Sequence, residues 1–220
     1  MTATYRWVTA LLLAAGGLAS RVAGQASGVP VRPAGGAQGV GVGLDVGFGR
    51  KDLGAGGVER SRAAAFSGHL GFGPVGLSVG VARSALDPDT GPTRNYTTLM
   101  VGAAVPIIGG PLVPLKVSWI GGADRPFDGG SQRPWRGYLG LGASLTIPAT
   151  VVSIRPWLAP RVEYLGNQPG GEIKGALSAG VDLGLLNGFG LRVSYDSRLG
   201  WDNGNGRATG IGIGASYHFR

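Results

Sequence analysis

Charged side chains recur at alternate positions within segments of this 220-residue chain that are otherwise apolar or made of small residues. Successive side chains of a β-strand point to opposite faces, so these charges fall on one face and the large aliphatic residues on the other. Buried charges must be paired or wetted. We therefore expect either a salt-bridged plug or a narrow water-filled path with a mild anion preference. The ten residues are Asp45, Lys116, Arg136, Arg155, Arg161, Glu163, Lys174, Asp182, Arg192 and Asp196.

A second pattern, Gly76-Leu-Ser-Val-Gly80, matches the nucleophile elbow of serine hydrolases. That motif requires a strand, a sharp turn and then a helix. Here the apolar residues continue to alternate through the motif, so Ser78 is predicted to lie within an unbroken strand. The stretch Asp202-Asn-Gly-Asn-Gly206 resembles part of a calcium loop but lacks the later bidentate carboxylate. We expect no catalytic residue, no metal site and no cofactor.

The elements that must position these residues are β-strands. Strict alternation of apolar with small or polar residues indicates half-buried strands. Ten such segments follow one another, each near the length of about 9–11 residues that crosses a bilayer when tilted. They lie at 40–48, 66–72, 75–82, 97–105, 113–119, 138–147, 152–164, 173–183, 189–195 and 211–219.

The N-terminus has the three-part form of a secretory signal. Arg6 is followed by an apolar run at 8–19, which is too short to span a membrane as a helix of about 20 residues, and then by small residues up to Ala26. We assign 1–24 to the signal peptide, 25–38 to a flexible periplasmic leader rich in Gly, Pro and Ala, and 39–220 to a transmembrane β-barrel formed by the ten predicted strands. The chain has no cysteine, which excludes disulfides, thiolate metal sites and a lipid attached to cysteine.

The composition excludes several classes of protein. Charged residues make up 15% and glycine 44 of the 220 residues, too few charges for an ordinary soluble surface and too much apolar content for disorder. Removal of Arg6 and Arg21 leaves 18 basic and 12 acidic residues. The basic residues are dispersed, without a basic helix or patch, so we expect no nucleic-acid partner.

The predicted connections alternate between short turns and longer polar loops, as in outer-membrane barrels. The short class comprises 73–74, 106–111, 148–150 and 186–188. The long class comprises 50–61, 84–94, 121–134, 165–172 and 197–206. A soluble β-sandwich has no reason to sort its loops in this way.

Aromatic residues are expected to form two girdles at the lipid interfaces. If the leader is periplasmic, odd strands run outward and even strands return. The outer girdle is then predicted to contain Phe48, Phe66, Trp119, Trp135, Tyr164 and Tyr195, and the periplasmic girdle Phe72, Phe189, Tyr217 and Phe219.

The chain resembles the small bacterial outer-membrane β-barrel proteins over residues 39–220. The last strand, 210–220, is similar to the C-terminal assembly signal of that family, with Tyr217 two residues before Phe219, although Arg220 follows the final aromatic. Segment 151–164 is similar to a common strand of these barrels. The resemblance implies an outer-membrane location and, during biogenesis, the barrel-assembly machinery and periplasmic chaperones as partners.

Barrel enzymes of the same membrane supply two comparisons. Asp87-Pro-Asp89 lies where proteases of the omptin type place paired acids, but the loop at 166–169 lacks their Asp/His partner. Lipid A deacylases of the barrel type use a His-x-Ser pair, whereas this chain has the reverse order in Ser67-x-His69 and Ser216-x-His218. A Pro-Asp turn and lumenal histidines are the preferred interpretations.

The predicted fold is all-β, a closed antiparallel up-and-down transmembrane β-barrel of about ten strands, or eight if one hairpin is miscounted. We expect an outer-membrane protein with a structural or small-pore role and a polar, charge-paired lumen, with outer-membrane lipid around it. The alternatives are a barrel enzyme acting on lipid or peptide at the cell surface, or a soluble secreted barrel that binds an apolar ligand. The sequence leaves the oligomeric state open.

Overall fold

A computed structural model describes residues 29, 39–52, 57–72, 74–109, 113–127, 135–149, 151–166, 171–185, 187–199 and 208–219. Nearly all of them are in β-strands, as the alternation predicts. No helix within these ranges is long and apolar enough to cross a membrane. The predicted signal peptide, 1–24, lies outside the described residues, and so does the leader apart from Val29.

The described residues form ten strands. β6 is interrupted at Thr146 and resumes for two residues, Ile147–Pro148. The strands are β1 Gly39–Asp52, β2 Val58–Phe72, β3 Val75–Pro88, β4 Arg94–Ile108, β5 Leu115–Pro126, β6 Trp135–Leu145, β7 Val152–Gly166, β8 Glu172–Leu185, β9 Phe189–Leu199 and β10 Ala208–Phe219.

Each strand pairs with its neighbours in sequence, and all the pairings are antiparallel. The ring closes between the first and last strands, where Val40 lies opposite Phe219 and Lys51 opposite Ala208. The sheet is therefore a closed up-and-down barrel. The predicted fold class is confirmed, with ten strands and not eight.

Connections alternate between the two ends of the barrel, but the strands run further outward than the sequence predicts. β3 continues to Pro88 and β5 to Pro126, through residues that we assigned to long loops. Polar residues beyond the apolar segment still complete the interstrand hydrogen-bond ladder, for example where Asp124 pairs with Arg136. A period-two pattern of apolar residues therefore marks the part of each strand that faces lipid, and it does not mark the end of pairing.

The outer wall of the barrel is apolar. Phe66 is 58% exposed, Leu139 60% and Val193 57%, and alternate positions of the same strands are buried. Water would oppose so large a continuous apolar surface, whereas lipid would cover it, and a closed barrel leaves no unpaired strand edge in lipid. A soluble ligand-binding barrel would have the reverse arrangement, because its apolar residues would face the lumen.

Inside the barrel, the wall formed by β2 and β3 carries small side chains. Ala63, Ala65 and Ala82 are buried there, and Val29, from the segment that precedes β1, packs against them. Val29 also lines the internal cavity. The structure thus places this one residue of the predicted leader within the lumen, where the small residues of the wall leave room for it.

Candidate functional site

A buried carboxylate in the outer half of the lumen is surrounded by three arginines. Glu163 is 0% exposed. Its Oε1 accepts hydrogen bonds from Arg136 Nη1 at 2.7 Å and Arg161 Nε at 2.8 Å. Its Oε2 accepts one from Arg198 Nε at 2.7 Å. Three guanidinium groups around one carboxylate require further negative charge nearby.

Two more acids supply that charge. Asp124 accepts a hydrogen bond from Arg136 Nε at 2.5 Å, and Asp196 accepts one from Arg161 Nη2 at 2.8 Å. The Ser178 hydroxyl accepts a hydrogen bond from Arg161 Nη1 at 2.6 Å and contacts Asp196 as well. We refer to the six charged residues Asp124, Arg136, Arg161, Glu163, Asp196 and Arg198 as the Glu163 network; their formal charges cancel.

The Glu163 network joins four strands across the lumen. Asp124 lies on β5, Arg136 on β6, Arg161 and Glu163 on β7, and Asp196 and Arg198 on β9, and strand alternation directs their side chains inward. The Arg136 guanidinium also lies 5.4 Å from the centre of the Tyr138 ring, within reach of a cation–π interaction. The network is a polar crosslink that partly fills the outer half of the barrel.

A second set of charges lies on one row across the sheet, nearer the end of the barrel where β1 begins and β10 ends. Arg155 is opposite Asp182, Asp182 is opposite Arg192, and Arg192 is opposite Gly214, which is opposite Asp45. Arg192 bonds to Asp45 at 2.9 Å and to Asp182 at 2.8 Å. We refer to Arg155, Asp182, Arg192 and Asp45 as the Arg192 row.

The Arg192 row depends on one glycine. A Cβ atom at Gly214 would overlap the Asp45 carboxylate, so the missing side chain is what lets Asp45 reach across β10 to Arg192. Trp157 donates a hydrogen bond from Nε1 to Asp182 at 3.2 Å and so holds that carboxylate within the row.

The remaining predicted lumenal charges lie toward the ends of the strands. Lys174 forms an ion pair with Glu172 at 3.1 Å near the start of β8. Lys116 is half-buried at the start of β5, beside the turn that contains Gly109. These two lysines take no part in the described contacts of the Glu163 network or the Arg192 row.

Sequence reasoning missed two members of the Glu163 network. We assigned Asp124 and Arg198 to loops, but the structure places them in β5 and β9, facing the lumen. The signal that would have found them is parity. Asp124 is an even number of residues from Ser118, and Arg198 from Asp196, so each continues the lumenal face of its strand.

Seven of the predicted girdle residues project from the outer wall, each at least 40% exposed: Phe48, Phe66, Trp119, Tyr164, Phe189, Tyr195 and Phe219. Trp135 packs on Tyr164 with ring centres 5.2 Å apart, and Tyr217 contacts both Phe189 and Phe219. The side chain of Phe72 lies outside the described part of the chain. Phe66 and Trp119 lie within their strands and not at the outer ends where we predicted them, because β2 and β5 extend further outward.

Asp87, Asp89 and Ser78, which the sequence motifs singled out, have contacts that suit a structural role. Asp87 accepts hydrogen bonds from Arg62 at 2.8 Å and Thr93 at 2.7 Å. Asp89 accepts hydrogen bonds from Arg60 and from the Val58 amide. These carboxylates attach the β3–β4 turn to β2. Ser78 lies within β3 opposite His69, without the strand–turn–helix geometry of a nucleophile elbow.

Solved structures with a similar fold are bacterial β-barrels. LpxR from Salmonella typhimurium superposes with a TM-score of 0.53 at 7% identity, over 81% of this chain and 100% of LpxR. The β domain of the Bordetella autotransporter BrkA also gives 0.53, at 13% identity, over 83% of this chain and 100% of that domain. No family model and no curated protein sequence matches the chain. At these identities the likeness establishes the barrel fold alone.

Proposed function

We propose that this protein is an outer-membrane β-barrel with a structural role, whose lumen is closed in its outer half by the Glu163 network. The exposed apolar wall supports a membrane location, because bacterial proteins that cross a bilayer as strands do so as closed barrels. The observation that carries the structural role is Glu163 itself, fully buried among three arginines from β6, β7 and β9.

A plug is favoured over a conducting path because the charges compensate one another. Ten strands make a small barrel in which side chains fill much of the interior. A path with a mild anion preference would need exposed, unpaired cations in the outer half of the lumen. In the Glu163 network each arginine instead bonds directly to at least one carboxylate, which leaves little charge there to attract a permeant ion.

The proposal also covers how the barrel is assembled in the membrane. Tyr217 and Phe219, which contact each other near the end of β10, would form the C-terminal assembly signal read by the barrel-assembly machinery, after periplasmic chaperones deliver the chain. The exposed aromatics would contact lipid at both interfaces. Membrane fractionation tests the location, and an SDS gel with and without boiling tests closure, because a closed barrel migrates differently when it is unheated.

Conductance of the refolded protein in planar bilayers tests the plug. We expect wild type to stay closed and Glu163→Gln to conduct, because loss of the central carboxylate leaves three arginines with two acids. Truncating one partner of a buried ion pair costs about 3–5 kcal/mol, so this variant should also unfold at lower temperature. Glu59→Gln, at the outer end of β2, is the matched control. Steady large conductance by wild type would contradict the proposal.

A further inference from the structure

Charged residues on the exterior wall of the described strands lie on one side of the barrel. Exterior-facing positions are those that share the parity of the exposed apolar residues in each strand. Within the described ranges, these positions carry no charged residue in β6–β10, whereas in β1, β2, β3 and β5 they hold exposed arginines near the end of the barrel where β1 ends. We refer to these residues as the arginine arc: Arg50, Arg60, Arg62, Arg83 and Arg125.

Strand pairing brings together arginines that are dispersed in the sequence. Arg50 lies directly opposite Arg60 on the same face of the sheet. Ala64, two residues from Arg62, lies opposite Arg83, so the two arginines are diagonal neighbours within reach of each other. Like charges in cross-strand pairs are unfavourable. An anion bound between these guanidinium groups would therefore stabilise this part of the sheet.

The carboxylates of this surface do not cancel the charge of the arginine arc. Arg60 pairs with Asp89, and its side chain remains 66% exposed. Arg62 pairs with Asp87 and remains 68% exposed. With Asp52 of β1, the described part of this surface has three carboxylates against five arginines. The arc therefore keeps a net positive charge and has N–H donors at the surface.

Along each strand, the arginines follow directly after the apolar residues. On the exterior face of β1, Phe48 is followed by Arg50. On that of β3, Val81 is followed by Arg83, and Asp87 comes four residues later. A lipid presents its acyl chains and its phosphate in the same order. Because arginine extends its charged head from an apolar surface toward the interface, the arc lies at the depth of the lipid phosphates.

The width of the arginine arc indicates more than one phosphate. It extends over five neighbouring strands, β1 to β5. Since neighbouring strands lie about 4.8 Å apart, the arc is roughly 19 Å wide, more than one phosphate group occupies. A general preference of arginine for membrane interfaces would place cations around the whole ring. Near the same end, however, the exterior faces of β7 and β8 present Tyr164 and Ile173.

We propose that the arginine arc binds the headgroup of a lipid that carries two phosphates, in the leaflet at this end of the barrel. The arginines of β1 and β2 bind one phosphate, and those of β3 and β5 bind the other, since guanidinium groups match phosphate oxygens in bidentate geometry. This inference rests on the membrane location proposed above, and it adds the class of lipid that covers one side of the barrel.

Native mass spectrometry of the refolded full-length barrel in detergent tests the proposal, with diphosphoryl lipid A and monophosphoryl lipid A as the probes. The two probes differ by one phosphate. We expect saturable binding of the diphosphoryl form, at least fivefold tighter than binding of the monophosphoryl form. The double variant Arg83→Gln/Arg125→Gln should weaken binding of the diphosphoryl form at least tenfold, because it removes the guanidinium groups of β3 and β5.

Arg94→Gln is the matched control. Arg94 is exposed at the start of β4, near the same end of the barrel, but it shares the parity of the buried Tyr96 and so belongs to the other face. The heat-dependent gel shift verifies that each variant is folded, and Arg125→Gln alone provides a second test if the double variant does not refold.

Equal affinity of wild type for the two lipids would overturn the proposal, as would equal affinity of wild type and the folded double variant for the diphosphoryl form. Membrane fractionation tests the location separately. A barrel that is found in the outer membrane but does not distinguish the two lipids would therefore contradict this inference and leave the proposed function intact.

Discussion

At the scale of single residues, the lumen combines side chains that supply charge with glycines that make room for it. Arg192 reaches Asp45 only because Gly214, on the strand between them, has no side chain. Gly41 does the same for His69 and His218. Much of the glycine on lumenal faces therefore has a steric purpose, which is to let a long polar side chain lie across the neighbouring strand.

Gly214→Ala should break the Asp45–Arg192 ion pair, since the new Cβ would overlap the carboxylate. We expect a lower midpoint of thermal unfolding in detergent, measured by circular dichroism. The effect should not add to that of Asp45→Ala, because both variants remove the same contact. Gly68→Ala is the control, since a Cβ there meets nothing within 4 Å. Full additivity of the two lumenal variants would contradict this account.

At the scale of elements, strands continue past the lipid-facing segment. β3 carries Arg83 and Asp87 on the same face as its exposed valines, and its outer end is joined to β2 by the ion pairs Arg62–Asp87 and Arg60–Asp89.

Pro156 and Pro160 in β7 lie opposite Val181 and Leu177 of β8 with no break in register. The prolines therefore introduce no bulge on the β8 side, whereas the pairing of β7 with β6 is interrupted between Gly140–Arg161 and Ala143–Leu158, and a register shift occurs at Pro106–Ile108 in β4.

The Arg62–Asp87 ion pair that joins β3 to β2 should persist from pH 7 to pH 5. Hydrogen bonds from Thr93 and then Arg62 lower the pKa of Asp87, beyond the lipid-facing part of β3, from its ordinary value of 3.8. A lowered pKa means that the stabilisation is complete above the ordinary value and is lost as the pH falls through the lower, folded-state value. Hydrogen exchange at the β3–β4 turn should therefore show equal protection at pH 7 and pH 5.

The comparison that isolates the carboxylate is Asp87→Asn, which should lose protection at both pH values, with Thr90→Ala in the same turn as the control. If protection in wild type fell between pH 7 and pH 5 while the rest of β3 stayed protected, the tie would not depend on an ionised Asp87.

At the scale of the whole molecule, closure sets the inside and the outside. Pairing of β1 with β10 removes the last free strand edge and turns one face of every strand into an enclosed lumen. That lumen contains the Glu163 network toward one end, a cavity toward the end where β1 begins, and a wall of small residues against which Val29 packs. At least one residue of the segment before β1, Val29, therefore lies inside the barrel.

Cross-linking tests the position of Val29. Because the chain has no cysteine, Val29→Cys with Ala82→Cys gives a single thiol pair. We expect a short bifunctional maleimide to join the two positions in the folded barrel and to change its mobility on an unreduced gel. Val29→Cys with Val79→Cys, which is exposed on the outer wall of β3, is the control and should not cross-link. Equal reaction of both pairs would place Val29 outside the lumen.

The sequence by itself determined the strands, their two faces and the alternation of their connections. These features depend on a side-chain period of two and on turn residues, which are local properties of the chain. It also indicated which charges share the polar face. It did not identify Asp124 and Arg198 as part of that face, because polar residues beyond the lipid-facing segment give no apolar pattern to follow.

Only the tertiary structure decided which charges pair and which do not. Asp45 and Arg192 are 147 residues apart in the chain, and closure of the barrel is what brings them together. Their contact depends on register and on the empty side of Gly214. Whether a lumenal arginine ends in the Glu163 network or, like Arg155, has a donor without a hydrogen-bond partner depends on distances across the barrel. Strand alternation gives the face of each residue and contains no information about those distances.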